Sequence, residues 1–406
     1  MGGKAALFLV MGFSLLFMVV AQNFGNISTR AVDNMVDYHD QTVVHNIAVS
    51  AANMAAHKIY LDNSWVTGFP ETNFMGGTFE VSVDIINVPQ NIRRITATGT
   101  YRDITNQVVV TLSPSRFSKF AYYSENEEGI WWTSNDTVWG PFHTQDHFRV
   151  SRHPTFYGKA TTKKNLIYQN GKKNDYPNFF GGFEKGVNLP LLTDALTPLE
   201  ALADDDGYKF TGEDTVYLTF DEDSIKIRYE WNKLDTTVLT SSLAPNGVIF
   251  AKNSVVRLKG NVKGQYTIGV SASTSGQGKV YLDDNIVYNK DPQTYPNSSD
   301  LLGIVAKNHI LITQNAANND DITIHASIYS ESYGFGAQNY DTRPVSGDIN
   351  LLGGIIQKNR QAVGTFSGTT ITHGFTKQYK YDDRLMMIYP PGFPGTERFE
   401  IVSWLE

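Results

Sequence analysis

Three hydrophobic patterns succeed one another along the chain. The first, Ala5-Ala6-Leu7-Phe8-Leu9-Val10-Met11-Gly12-Phe13-Ser14-Leu15-Leu16-Phe17-Met18-Val19-Val20-Ala21, is uncharged and nearly all apolar. It lies at the short end of the ~20 residues that a membrane-spanning helix needs. In the second, from Ile27 to Tyr60, no proline intervenes, and apolar residues fall at Val32, Val36, Val43, Ile47, Ala51, Ala55 and Ile59, close to helical spacing. Together they predict one long helix, apolar all round at its start and amphipathic later. Gly68-Phe69-Pro70 and Gly76-Gly77 then punctuate the chain, and Thr78 to Ile85 alternates apolar and polar as a half-buried strand does. Ile92 to Tyr101 and Val108 to Leu112 continue that alternation. Antiparallel strands packed on the amphipathic part of the helix predict a small α+β module ending near Pro114.

The third pattern repeats on a longer scale. Gly247-Val248-Ile249-Phe250-Ala251-Lys252-Asn253 returns as Gly303-Ile304-Val305-Ala306-Lys307-Asn308 and again as Gly354-Ile355-Ile356-Gln357-Lys358-Asn359, placing the Lys-Asn pair at intervals of about 55 and about 51 residues. Such intervals are those of stacked repeats. Thr267-Ile268 and Thr323-Ile324 follow their Lys-Asn pairs at similar distances, and Val280-Tyr281-Leu282 or Ile349-Asn350-Leu351 leads toward the next copy. Each unit then holds several short strands, which predicts two coils of a parallel β-solenoid per repeat. Asn253, Asn308 and Asn359 are expected at structural corners, since asparagine tolerates left-handed backbone and its amide can hydrogen-bond along a stack. Residues 168–209 read as an irregular insertion with a short helix near Leu196 and an acidic turn at Asp204-Asp205-Asp206.

Composition narrows these expectations. A chain of 406 residues exceeds the size at which one compact core stops growing. With 41% hydrophobic and 18% charged residues it reads as β-rich rather than disordered. A net charge of -7 without a cluster of Lys and Arg argues against a nucleic-acid partner. The absence of cysteine removes disulfides, thiolate nucleophiles and thiolate metal sites together.

His143, Asp146 and His147, with His153 beyond, are the place to look for a metal site. Their spacing would suit a helix, but Pro141 and Pro154 bracket the segment and Phe148-Arg149-Val150 alternates. On a strand, residues four apart stand ~13 Å from one another, too far to share an ion. Setting Phe142 to Val150 beneath Phe250 to Leu258 puts Gln145 over Asn253, so the segment reads as a diverged rung with Gln145 as its corner. Asp283, Asp284, Asp320 and Asp321 would supply paired carboxylates to a polysaccharide-degrading enzyme, with Trp131, Trp132 and Trp139 as sugar platforms. The Asp pairs sit in turn sequences beside Asn, and no basic residue can be placed near them. No catalytic residue, cofactor or metal is therefore assigned.

Lys4, the only early charge, places the N-terminus in the cytoplasm and the remainder outside. Ala5, Leu9, Phe13, Leu16 and Val20 would form the membrane anchor. A cleaved signal peptide is the competing reading, because Val19-Val20-Ala21 ends in small residues.

Several short stretches resemble the PilX-like family of bacterial pilus-assembly proteins of unknown function. They are Ala48-Val49-Ser50-Ala51-Ala52, Thr98-Gly99-Thr100-Tyr101, Trp139-Gly140-Pro141-Phe142-His143-Thr144-Gln145, Lys380-Tyr381-Asp382-Asp383-Arg384-Leu385, and Pro390-Pro391-Gly392-Phe393-Pro394 with Trp404. The resemblance implies an exported, membrane-tethered or filament-associated surface protein without catalysis. The apolar helix makes the membrane the expected partner, with like subunits as candidates beside it, and surface glycans are the candidate partner under the alternative of a β-helix polysaccharide-binding or polysaccharide-degrading protein. Type IV pilins carry a glutamate five residues after their cleavage point, where counting from Gly3 gives Phe8. The expected architecture is mainly β: a transmembrane or filament-core helix over 1–26, an amphipathic helix with an antiparallel sheet over 27–114, a β-solenoid over 115–370 and a C-terminal cap over 371–406.

Overall fold

The computed structural model describes residues 2–87, 91–134, 136–230, 232–367 and 370–406. They form two compact units, Met1–Pro114 with Glu397–Glu406, and Ser115–Thr396. The protein is mainly β, with one long N-terminal apolar helix and sheets that are parallel in part.

In the first unit the helix α1 runs unbroken over Gly2–Leu61. It stops where Asp62 accepts hydrogen bonds from the Ser64 amide and hydroxyl, a local turn that competes with the helical ladder. Strands β1 (Phe69–Phe74), β2 (Gly77–Asn87), β3 (Ile92–Tyr101) and β4 (Ile104–Arg116) form an antiparallel meander, and the strand Gly395–Leu405 adds beside β4. Ile47, Ala48, Ala51, Ala52, Ala55 and Ile59 are fully buried against Phe79, Val81, Ile95, Ala97, Val108, Val110 and Leu112. Alanine at four of those helix positions lets the backbone lie close to the sheet. Gly99 serves the same approach, because a Cβ there would stand 2.8 Å from the Val44 carbonyl oxygen and 2.9 Å from the Ala48 nitrogen. Arg93 donates to the Trp65 and Asn63 carbonyls at 3.2 and 2.6 Å and lies over Phe399, tying the loop after α1 to the sheet and its C-terminal strand.

The second unit is built on long parallel ladders. One joins Tyr208–Thr211, Val248–Lys252, Gln265–Val270, Leu301–Ala306, the ends of Ile322–Ser330 and Val345–Asn359, then Tyr122–Asn126, Phe142–Thr144, Ala160–Thr162 and Phe183–Lys185. Its inner column reads Ile249, Ile268, Ile304, Ile328, Ile355, Tyr122, Phe142, Ala160, Phe183. Ile249 and Ile304, equivalent in the repeat, are thus two strands apart with Ile268 between them. A second ladder joins Thr215–Glu222, Val255–Val262, Lys279–Tyr288, Ile310–Ile312 and Phe335–Ala337. A third runs from the starts of Ile322–Ser330 and Val345–Asn359 through Thr370–Lys380, Thr137–Trp139, Thr155–Phe156 and Asn178–Phe179. Antiparallel pairs join Ser224–Tyr229 to the strands on either side of it and Gly364–Ser367 to Thr370–Lys380, so the sheet is mixed.

Chain order along the first ladder breaks once, where the strand ending at Asn359 pairs with Tyr122–Asn126. The connection from Lys185 back to Tyr208 runs along the outer side of that ladder. The Leu189 carbonyl accepts from the Tyr123 hydroxyl at 2.6 Å, the Ala195 amide donates to Glu331 at 3.2 Å, and Leu199 packs with Phe250. The stretch expected as an irregular insertion is therefore a strap, with its helix over Leu196–Asp205.

Two sequence expectations are corrected here. The repeat pattern aligns Phe142 with Phe250, but hydrogen-bond register places Phe142 in the Ile249 column and His143 in the Phe250 column. A one-residue slip moves every side chain to the other face, and the interior claims Phe142. Residues 371–406 do not form a separate cap: Thr370–Lys380 belongs to the third ladder, and Gly395–Leu405 joins the sheet of the first unit.

Candidate functional site

The first half of α1 is an apolar surface that the protein itself leaves uncovered. Leu9, Phe13, Leu16 and Val20 are exposed, as are Phe8 at 72% and Met35 at 76%. Ala5 lies on the same helix, with its side chain outside the described residues. The helix is long and apolar enough to cross a membrane, and none of its most apolar window is buried. Between Lys4 and Arg30 it carries no charge. At 1.5 Å per residue that stretch spans roughly 37 Å, beyond the ~30 Å hydrocarbon core of a bilayer. Burial begins at Asp40, which receives Arg102 at 2.7 Å. The sequence boundary at residue 26 has no counterpart in the backbone, since the helix continues through it.

The histidine cluster is dispersed. His143 is fully buried, stacks on Tyr123 at 5.4 Å and meets the Thr161 hydroxyl at 2.7 Å through Nδ1, while its Nε2 has no partner among the described residues. Desolvation lowers its pKa to about 4, so it is a neutral packing residue. Burial pushes the Asp146 carboxyl upward, but hydrogen bonds from Lys164 at 2.8 Å, the His147 and Glu127 amides and Arg149 outweigh it and hold the pKa at about 2. His147 accepts from the Asn165 amide. Each thus has its own separate partners, and among the described residues no three His, Asp or Glu side chains are grouped to hold a metal.

The corner residues have distinct settings. Asn253 has a left-handed backbone with φ +52°. Asn308 is buried, and its amide donates to the Gln277 carbonyl at 2.6 Å. Asn359 accepts from the Asn126 amide at 2.8 Å across the break in chain order. Gln145 is buried, with its amide oxygen unpartnered among the described residues. In register it follows Thr144 as Glu125 follows Ser124, so Asp146, not Gln145, occupies the position of Asn126.

The aspartate pairs are engaged structurally. Asp283 takes a bidentate pair from Arg257 at 2.8 and 2.6 Å and a bond from Thr313. Asp284 and Asp320 each accept from the next backbone amide, and Asp321 accepts from the Asp348 amide. Asp204, in the acidic turn, pairs with Lys209 at 2.5 Å. Of the tryptophans, Trp132 is buried core and Trp139 half-buried.

A buried polar network stands where the ladder closes between the two stretches of chain, and sequence reasoning missed it. Glu127, fully buried, pairs with Arg360 at 2.8 Å and accepts from Tyr122, Trp132 and Ser124. Arg360 lies 4.0 Å over the Trp132 ring. Burial disfavours the Arg360 charge, but Glu127 overcomes it and raises the pKa. No local pattern announces a partnership between residues 233 apart.

The family model matching residues 80–164 is described as a domain of unknown function, DUF4900. That region starts within β2 and ends just after the strand Ala160–Thr162, well under half of the chain. No curated protein matches. Among solved structures, the chain is similar to the crystal structure of the competence-associated pilin ComZ from Thermus thermophilus, at 12% identity and a TM-score of 0.37, with 90% of this chain and 96% of that chain covered. A pilin thus stands among its structural neighbours, at a level of likeness on which no functional conclusion rests.

Proposed function

We propose that this protein is a non-enzymatic, exported surface subunit, held by the first half of α1 with its N-terminus in the cytoplasm. The observation that carries the reading is the uncharged, wholly exposed apolar stretch of α1, which continues without a break into a helix face packed on an antiparallel sheet. Exposed apolar area on that scale requires a lipid or protein partner. The second half of α1 links the anchor covalently to a folded β-module. The unit Ser115–Thr396 is read as a β-solenoid: successive parallel rungs bury Ile, Val and Phe columns inside, and the 50-residue repeat corresponds to two rungs. Within this reading the protein is a PilX-like relative, anchored singly or assembled with like subunits through α1.

The engaged state of the aspartate pairs favours display over catalysis. Cell fractionation tests the proposal: the chain is expected in the membrane or surface fraction, with protease added to intact cells cleaving the β-units. Recovery of the whole protein in the cytosol would overturn it.

A further inference from the structure

Three of the chain's aromatic-glycine pairs, Trp139-Gly140, Tyr157-Gly158 and Phe180-Gly181, fall within 42 residues of one another. The strands they follow are consecutive rungs of the third ladder, whose inward residues Val138, Phe156 and Phe179 pack with the core. The outward aromatic rings form a stacked column, with centroids 5.7 and 5.1 Å apart and planes inclined by 11° and 13°. Tyr157 and Phe180 are exposed, although the same chain buries most aromatic side chains of its ladders. The glycines explain how the column stands free. A Cβ on Gly158 would lie 2.1 Å from the Gly140 carbonyl, and one on Gly181 2.3 Å from that of Gly158, so this corner carries no side chains.

Beside the aromatics opens a cleft of about 430 Å³, bounded also by Gln293, Lys380 and Asp383. It shares Gln293, Tyr381 and Asp383 with an adjoining hollow of about 260 Å³. The Gln293, Lys380 and Asp383 side chains are exposed and have no hydrogen-bond or ion-pair partner among the described residues. Tyr381 borders both hollows, and its hydroxyl is buried without a partner among the described residues. The site therefore combines an aromatic wall with unused donors and acceptors of both charges, the mixture that fixes a polar ligand with apolar faces.

The chemistry narrows the ligand. A peptide strand would need a free sheet edge, but Thr137–Trp139 is paired on both sides. A polyanion would meet Asp382 and Asp383, and an acyl chain would meet an open, charged rim. We infer that this cleft binds an oligosaccharide, its apolar C–H groups against the outward ring edges of Trp139 and Tyr157, whose faces stack within the column, and its hydroxyls on Asp383, Lys380 and Gln293. The two joined hollows admit more than one sugar residue.

The test uses the full chain, detergent-solubilised, on an array of neutral and acidic oligosaccharides, followed by tryptophan-fluorescence titration with the best-bound glycan. Tyr157→Ala is expected to weaken binding roughly tenfold or more. Asp383→Asn, at an exposed position, is expected to weaken binding and leave the unfolding midpoint unchanged. Absence of binding across the array, or binding that both variants leave intact, would overturn the inference. Neither outcome bears on membrane recovery, which tests the anchor separately.

Discussion

The first half of α1 and the parallel ladders draw on the same residues, Leu, Ile, Val and Phe, and treat them in opposite ways. In the ladders, the column Ile249, Ile268, Ile304, Ile328 and Ile355 is shielded from water by neighbouring rungs. Along α1 up to Tyr38, the large apolar side chains are exposed. A ladder strand finds its partner in the neighbouring strand of the same chain, so its apolar surface is satisfied by folding. The exposed helix has no such partner, and its hydrophobic area is left for an external phase. The boundary falls inside one continuous helix, at Asp40, which shows that residue type alone does not decide between the two uses. The protein surface available to each turn decides it.

That contrast yields quantitative expectations. The largest lies in the ladders. Glu127→Gln leaves Arg360 buried without its counter-charge and is expected to destabilise the unit Ser115–Thr396 by about 3–5 kcal/mol, read by chemical denaturation. It should leave membrane recovery unchanged, and a loss below about 1 kcal/mol would show that the closing junction is not held by this pair.

Leu16→Arg reverses the pattern. A charged residue in the middle of a spanning helix costs about 2.5–3.5 kcal/mol, roughly a hundredfold in partitioning. Vesicle flotation should show that fall, while the denaturation midpoint stays fixed because Leu16 touches neither core. A shifted midpoint with unchanged flotation would reverse the roles assigned to the two regions.

The third expectation is a pH dependence in the ladders that the exposed helix lacks. The folded pKa of His143, about 4, lies below the ordinary 6.5, so the unfolded chain takes up this proton first as pH falls. The stability involved is fully present above pH ~6.5, declines between ~6.5 and ~4, and is then spent, amounting to roughly 3 kcal/mol. Asp146 acts in a lower window: its pKa is depressed to about 2, so its contribution is lost only as pH falls below about 4. His143→Phe should flatten the upper part of the stability curve. An unchanged slope between pH 6.5 and 4 would show that His143 is not held neutral by burial.

Much of this arrangement is legible locally. The apolar run and its change to helical spacing mark α1, and the alternation in Thr78–Ile85 and Ile92–Tyr101 marks β2 and β3. The Lys-Asn repeat of residues 252–253 and 307–308 reports strands two apart in the first ladder. What escapes is fixed by distant pairing. Register cannot be read from aligning Phe142 with Phe250, because hydrogen bonding and interior volume place Phe142 with Ile249. The junction of Asn359 with Asn126 and the ion pair of Glu127 with Arg360 join parts of the chain 233 residues apart, and no window of sequence spans them. The aromatic-glycine pairs were visible as dipeptides, but their role depends on the rungs stacking in that order. Strand Gly395–Leu405 likewise shows ordinary alternation and gives no sign that its partner is β4.

The most direct test of the central claim compares the full chain with a chain beginning at residue 31 in liposome flotation, with thermal unfolding measured on both. The full chain is expected to float, the shortened chain to stay in the soluble fraction, and the two to share the same unfolding midpoint. A shortened chain that still floats, or one that unfolds at markedly lower temperature, would show that the exposed half of α1 is not a separate anchor.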